Sequence, residues 1–340
     1  MTVAIIGSSI EQDNSVVGLN LEEMIYKAAC AALADAEVPR SDIDQVCLGS
    51  SDGLDGRAIS AMVTAASAGG VGKSVINVSS SGEHAMILAI LQIMAGRSRK
   101  CIVANWAKPS DTPLSTVDRL TMDPFYYRPL QLDREMWLSL QTEALSADLV
   151  GAAGCGPSKP ISSSAPRSGD GAIALVLTDE GTARKSGRAY TVLRGFGTAT
   201  DSYWRGGPDL AEMPAARWAA SQAYRMSGIK APESAFDFIE VADHSRLHLL
   251  AICRSLGLVK KENILEFAAA IDVPGFRPEM NPSGGLAKRY LDYATGLATI
   301  ASVHRRLIAK STTSLALAHT ASGNAGQVSS VFIIENQGAA

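Results

Sequence analysis

The feature that most constrains this chain is that it repeats itself. Residues 28–48 hold an alanine-rich helical stretch followed by Pro39-Arg40-Ser41-Asp42-Ile43-Asp44-Gln45-Val46. Residues 221–241 hold a second helical stretch followed by Pro232-Glu233-Ser234-Ala235-Phe236-Asp237-Phe238-Ile239. Proline, serine, an apolar residue, aspartate and a β-branched residue recur at matching spacing without a gap. In both places an amphipathic helix ends near a proline and a strand follows.

A second matched pair lies downstream. Asn77-Val78-Ser79-Ser80-Ser81-Gly82 opens an apolar helix over Ala85 to Gly96, and the strand Cys101-Ile102-Val103-Ala104 follows. Asn281-Pro282-Ser283-Gly284-Gly285 precedes a helix over Gly296 to Ile308, then the strand Ser314-Leu315-Ala316-Leu317. Each half closes on one more strand, Ala172 to Leu177 and Val331 to Glu335. Strands of near-continuous apolar character belong to sheets covered by helices on both faces. The pattern predicts an α/β fold of two similar halves, residues 1–187 and 188–340, with the paired central helices sandwiched between sheets. Between residues 107 and 168 the pattern breaks on seven prolines and a serine-rich stretch from Ser162 to Ser168, with one helix expected around Asp133 to Val150. Such an insertion is where an α/β scaffold covers its active site.

Composition narrows the function classes. A formal charge of −3 gives no reason to expect nucleic acid or an anionic membrane as partner. The most apolar segment, Ala85 to Ala95, is about half of the ~20 residues a membrane span needs. The start, Met1-Thr2-Val3-Ala4-Ile5-Ile6-Gly7, runs straight into a strand pattern and carries no secretory signal. Cys30, Cys47, Cys101, Cys155 and Cys253 form no CxxC pair, which argues against a disulfide framework and a zinc site and fits a reducing cytoplasm. No metal or resident cofactor is expected. Gly69-Gly70-Val71-Gly72-Lys73-Ser74 imitates the end of a phosphate-binding loop, but Ser67 stands where that motif requires glycine.

The run Asn77 to Ala85, the run Gly169-Asp170-Gly171-Ala172 to Asp179, Asn281-Pro282-Ser283-Gly284-Gly285-Leu286 with Ala294-Thr295-Gly296-Leu297, and Leu317-Ala318-His319 carry a resemblance. Together with the order of the two halves, they resemble the thiolase superfamily, in particular its sterol-carrier-type branch. The resemblance implies a duplicated five-layer α/β/α/β/α thiolase fold, usually dimeric. It implies acyl-CoA or a carrier-protein thioester as substrate, and chemistry that makes or breaks carbon–carbon bonds or transfers acyl groups. It also implies a homo- or heterodimer and, by analogy with related acyltransferase subunits, a small OB-fold partner. The short insertion puts a tetramer-forming loop in doubt.

The motifs depart from the family where its chemistry resides. Aligning Ser81-Gly82 with the family's nucleophile motif places Ser79 where the cysteine belongs, at a helix start that stabilises negative charge. A serine hydroxyl there needs an adjacent base. The same residues also read as a capping box, with Ser80 as N-cap and Glu83 at N3, so Ser79 is either chemical or a helix-start residue. The family's activating histidine after Asn-Pro-x-Gly-Gly is missing, and Tyr290 or Asp292 is nearest its place. Tyr290 is either an acid or base or a phenol bordering the pocket.

In the loop Val241-Ala242-Asp243-His244-Ser245, His244 is a candidate base, with Asp243 beside it, and His248 is expected to be structural. Gly323 falls where the second cysteine belongs, and His319 lies just upstream as a pocket residue or an ordinary buried histidine. Asn281, Gly284, Gly285 and Gly323 are the candidate substrate-binding and oxyanion positions, with Asp243.

Three functions remain open at this level. One is an acyl-handling enzyme with Ser79 as its anchor. Another is a catalytically inactive partner of an active paralogue, and the last is a retro-aldolase using Tyr290 or Tyr293 with an OB-fold partner.

Overall fold

In a computed structural model of the chain, the structure describes residues 2–112, 114–149, 168–204 and 210–337. The first half contains β1 (Val3–Gln12), α1 (Leu21–Ala36), β2 (Gln45–Gly49), α2 (Asp52–Asp55), α3 (Ser60–Ser67), β3 (Ser74–Val78), α4 (Gly82–Met94) and β4 (Lys100–Ala107). It continues with α5 (Leu114–Thr121), α6 (Arg134–Leu149), β5 (Gly171–Asp179) and α7 (Glu180–Lys185). The second half contains β6 (Thr191–Thr200), α8 (Pro214–Ser227), α9 (Pro232–Ala235), β7 (Phe238–Glu240), α10 (Arg246–Ser255) and α11 (Ile264–Ala270). It ends with β8 (Glu279–Met280), α12 (Gly285–Lys288), α13 (Thr295–Ile308), β9 (Leu315–Ser322) and β10 (Val328–Asn336). Cys155 and most of the serine-rich stretch lie outside the described residues.

The ten strands run in the order β3-β2-β4-β5-β1-β6-β10-β9-β7-β8. Read outward from the middle, the second five repeat the order of the first five. The directions repeat as well: β2 is parallel to β3 and β4, and β7 is parallel to β8 and β9. β5 lies antiparallel to β4 and β1, as β10 does to β9 and β6. The two sets meet where β1 pairs with β6, and that seam is only Ala4 with Val192 and Ile5 with Thr191.

Side chains alternate across each strand, so one strand feeds two layers. In β5, Ile173, Leu175 and Leu177 pack into a central core with Ala85, Met86, Ala89, Ile90 and Ile93 of α4 and Leu297, Ile300, Ala301 and Leu307 of α13. Ala172, Ala174 and Val176 face the other way, against α1. The second half does the same: Phe332 and Ile334 of β10 point to the central helices, while Val331 and Ile333 point to α8 and α10. The result is five layers, helix, sheet, paired helices, sheet, helix, as the apolar strand patterns imply.

Local chemistry fixes the helix ends. Asn20 and Glu23 form a reciprocal capping box at the start of α1. The box expected at Ser80 and Glu83 does not form. Ser81 is the N-cap of α4, its side chain makes no cap bond, and the Glu83 carboxyl points elsewhere. The start of α4 is instead wedged into the sheet. The Gly82 N–H donates to Asn105 Oδ1 at 3.1 Å, and a Cβ on Gly49 would sit 2.8 Å from the Gly82 Cα. The insertion folds α5 and α6 over the carboxyl-terminal ends of the parallel strands. No helix among the described residues is long and apolar enough to cross a membrane.

Candidate active site

The strands and helix starts converge on a cavity of about 480 Å³ lined by both halves. Its floor is the amino ends of the two central helices, with Ser81 and Glu83 from α4 and Thr295 and Gly296 from α13. One wall is β9 and the loop after it, supplying His319, Thr320 and Gly323, and Ala242 and His244 come from the loop after β7. The insertion supplies Val117, Asp118 and Leu120 from α5 and Arg134 and Leu138 from α6. Tyr290, Asp292 and Tyr293 close the remaining side.

An arginine organises one end. Arg134 donates through Nη1 to the Tyr290 hydroxyl at 2.9 Å and to Asp292 Oδ1 at 2.7 Å, and through Nη2 to Asp118 Oδ1 at 2.8 Å. Because Tyr290 accepts from the guanidinium, its own proton is free to be donated into the cavity. Burial raises the Tyr290 hydroxyl above its ordinary value, against the opposing pull of Arg134. Burial likewise raises the carboxyl of Asp118. Tyr293 donates to Asp55 Oδ1 at 3.2 Å, and burial together with the Asp55 charge pushes its hydroxyl well up. Asp55 also accepts from Trp106 Nε1 at 2.9 Å and from Ser60.

The two cavity histidines, His244 and His319, are kept neutral. Burial lowers His319 to about 4. Burial first, then the neighbouring His248, Arg134 and His319, lowers His244 to about 3. His319 is 1% exposed, and neither ring nitrogen has a partner. Glu83 is 2% exposed; its Oε1 accepts from Thr320 Oγ1 at 3.2 Å and its Oε2 has no partner. An orphaned buried polar atom is costly, and functional sites are where such costs persist.

Of the residues singled out from the sequence, His244, His319, Tyr290 and Gly323 come together on this cavity. Gly323 has φ +74 and ψ −176, a backbone shape that favours glycine. Ser79 is exposed on the turn before α4 and is not among the lining residues, whereas Ser81, two residues on, is buried and is. Asp243, Asn281, Gly284 and Gly285 stand behind the cavity as scaffolding. Asp243 Oδ1 accepts from the Leu286 N–H at 2.9 Å, so its carboxylate holds the start of α12 rather than pairing with His244. Asn281 bridges Val241, accepting from its N–H at 2.7 Å and donating to its carbonyl at 3.2 Å. Gly285, at φ +58, leaves no room for a Cβ, which would lie 2.5 Å from the Asp243 carboxylate oxygens.

His248 is structural: it bonds Ser245 Oγ at 2.8 Å and Gln141 Oε1 at 3.0 Å. Sequence reasoning missed Glu83, Arg134 and Asp118 as site residues. The one available signal was a formally charged residue, Glu83, on an otherwise apolar helix. Cys30, Cys47, Cys101 and Cys253 do not line the cavity. No group of three metal-ligating side chains occurs among the described residues.

The neutral histidines make stability depend on pH in a testable way. His304, beyond the site, is 1% exposed, bonds Thr191 Oγ1 at 2.8 Å through Nδ1, and is lowered by burial to about 4. A folded-state value below the unfolded one gives stability that is present above about pH 6.5 and lost as pH falls towards 4. Buried carboxyls such as Asp55 and Asp118, whose values are raised, act in the opposite direction and mask this in the whole protein. The difference between His304→Gln and wild type isolates it. Urea midpoints of the variant are expected to fall less steeply than those of wild type between pH 6.5 and pH 4; parallel curves would refute the assignment.

No protein-family model matches this sequence, and no curated protein sequence does. Solved structures do. A monomeric SCP2-thiolase-like protein type 1 from Mycobacterium smegmatis matches with a TM-score of 0.65 at 18% identity, over 98% of this chain and 77% of that one. The Ltp2–ChsH2(DUF35) aldolase matches with a TM-score of 0.72 at 17% identity, over 98% and 97%. The Acat5 thiolase from Ascaris suum, in complex with coenzyme A, matches with a TM-score of 0.69 at 16% identity, over 98% and 100%. The fold is thiolase-like.

Proposed function

We propose that this chain catalyses aldol-type cleavage of a carbon–carbon bond beside an acyl thioester, or the reverse addition, by acid–base chemistry without a covalent intermediate. The observation that carries this reading is the makeup of the cavity. It gathers Tyr290, Tyr293, His244, His319 and Glu83, while Ser79 lies outside its lining and no described cysteine enters it. In a 3-hydroxyacyl thioester the hydroxyl loses its proton and C3 becomes a carbonyl. The C2–C3 electron pair moves to C2, where the thioester carbonyl delocalises it as an enolate, and C2 is then protonated. Tyr290 is the acid, since its proton is free and Arg134 fixes its oxygen. The neutral His244 and His319 offer hydrogen bonds without a competing positive charge. The reaction is redox-neutral and requires no resident cofactor, the thioester of CoA or a carrier protein being the substrate.

Two structural neighbours support the substrate and reaction class, one named as an aldolase with a DUF35 component and the other a thiolase holding coenzyme A. The chain is expected to act as a homo- or heterodimer with an OB-fold partner. A second reading has one observation in its favour: Ser81 Oγ lies 3.1 Å from His84 Nδ1 at the start of α4, a serine–histidine pair suited to acyl transfer. The two readings separate in one experiment. The protein is mixed with a panel of 3-hydroxyacyl-CoA thioesters and with simple acyl-CoA. Carbonyl product and shortened acyl-CoA are followed by chromatography, and the protein by intact mass. Cleavage with no adduct is the expected result; a stable acyl adduct lost in Ser81→Ala would overturn it.

A further inference from the structure

We infer that Glu83 is the base of this site, and that its unpartnered Oε2 receives the proton of the substrate's 3-hydroxyl. The inference rests on the reading just given and adds to it the group that starts the reaction. Glu83 is the only formally charged side chain on α4, in a helix whose other inward residues are apolar. With Ser81 as N-cap, Glu83 stands at the second helical position, one short of the place from which a glutamate turns back to cap its helix. The carboxyl instead reaches across to β9, where Thr320 Oγ1 holds Oε1 at 3.2 Å and leaves the buried Oε2, beside the cavity, without a partner.

Its setting is built for a negative charge. Glu83 lies in the first turn of α4, and its carboxyl presses on Gly296 in the first turn of α13. A Cβ on Gly296 would fall 2.2 Å from Oε2. The positive ends of both central helix dipoles therefore face one carboxylate. A carboxylate in this place also opposes formation of an alkoxide on any serine at the same helix end, which agrees with acid–base rather than covalent chemistry.

His319, although next to Thr320 in the sequence, falls on the other face of β9, with Leu317 and its partner Val331, so Glu83 acts on the Thr320 side of the strand without it. A substrate hydroxyl brought beside Glu83 gives Oε2 the partner it lacks by donating to it. The step then balances. The O–H bond breaks as the proton passes to Oε2, the C3–O bond gains its second bond, and the C2–C3 pair leaves with C2. Tyr290 protonates C2, and proton exchange with solvent restores both groups.

The test uses the whole chain and the same 3-hydroxyacyl-CoA panel. Glu83→Gln preserves shape and the Thr320 contact while removing the base. Its kcat is expected to fall by about 10²–10⁴-fold, with KM within about threefold of wild type. Glu83→Ala opens a space for a small carboxylate, and added formate is expected to restore turnover saturably, by at least roughly tenfold. A structural role would give no such rescue. Thermal melts establish that each variant is folded, and where the Gln variant fails to fold the formate response decides alone. A folded Gln variant that keeps wild-type kcat, or loses only KM, overturns the inference while leaving the reaction in place. Wild-type protein inert towards the whole panel removes the reaction and the inference together.

Discussion

Replacing Arg134 by Met is expected to remove about 2–4 kcal/mol of stability at pH 7 and to abolish most turnover. The guanidinium stands between Asp118 and Asp292, whose side chains are 17% and 3% exposed, and it alone bridges them. Breaking a fully buried pair by deleting one partner costs about 3–5 kcal/mol, because the remaining charge stays desolvated. Arg134 keeps 29% of its side chain in solvent, so the figure is discounted. Two carboxylates then face each other with no cation between them. Burial already raises Asp118, and the loss of Arg134 raises it further. A carboxyl whose folded value is raised contributes stability at low pH that is lost as pH rises through that value. The deficit of Arg134→Met is therefore expected to be largest near neutrality and to shrink as pH falls towards the ordinary aspartate range. Urea titrations of both proteins at pH 7 and pH 5 measure it, and an equal deficit at the two values would contradict the assignment. Arg134→Lys is expected to recover part of the stability and less of the activity, since an ammonium cannot hold two carboxylates and a phenol in one plane.

Gly296→Ala is expected to impair the protein by a single methyl group. The added Cβ would lie 2.2 Å from Glu83 Oε2 and 2.5 Å from its Cδ, so either the carboxyl is expelled or α13 moves away from α4. Overpacking of this kind costs about 1–3 kcal/mol. Because the methyl takes the place of the carboxyl, turnover should fall with stability. Glu83→Ala in the Gly296→Ala background removes the clash, so the double variant should be more stable than the two single losses sum to. Strictly additive unfolding free energies would show that the two residues do not meet.

How far these residues could be read from the sequence depends on where their evidence lies. The fold was legible because it is written in local signals: matched Pro-x-Ser-x-apolar-Asp runs, continuous apolar strands and two apolar helices. Packing then distributed Ile173 and Ala172, neighbours in sequence, to opposite layers. His244, His319, Tyr290 and Gly323 were legible because motif spacing carries them to the ends of strands and helices. Counting back from Gly82 points to Ser79, but the serine that faces the cavity is Ser81. Which residue of a serine run turns inward depends on where the helix begins, and the contact of Gly82 with Asn105 sets that start. Glu83 was hidden for a different reason. Its local pattern is that of a helix cap, and only contacts with Thr320 and Gly296, far along the chain, reveal another purpose. Arg134 sits in the proline-broken insertion, which has no counterpart in the other half and so no repeat to read it against.

The brevity of the seam between β1 and β6 has a mechanical consequence. With strand pairing across the middle limited to two residue pairs, cohesion between the halves falls to packing around α4 and α13 and to the bonds that Arg134, Tyr293 and Glu83 make across the cavity. Apolar packing has no preferred direction, whereas a long hydrogen-bonded ladder locks register. The alignment of the two halves is therefore set by those directional bonds rather than by a ladder. The contacts that shape the cavity thus also hold its two sides in register, so a change at Arg134 or Tyr293 alters the joint between the halves as well as the pocket.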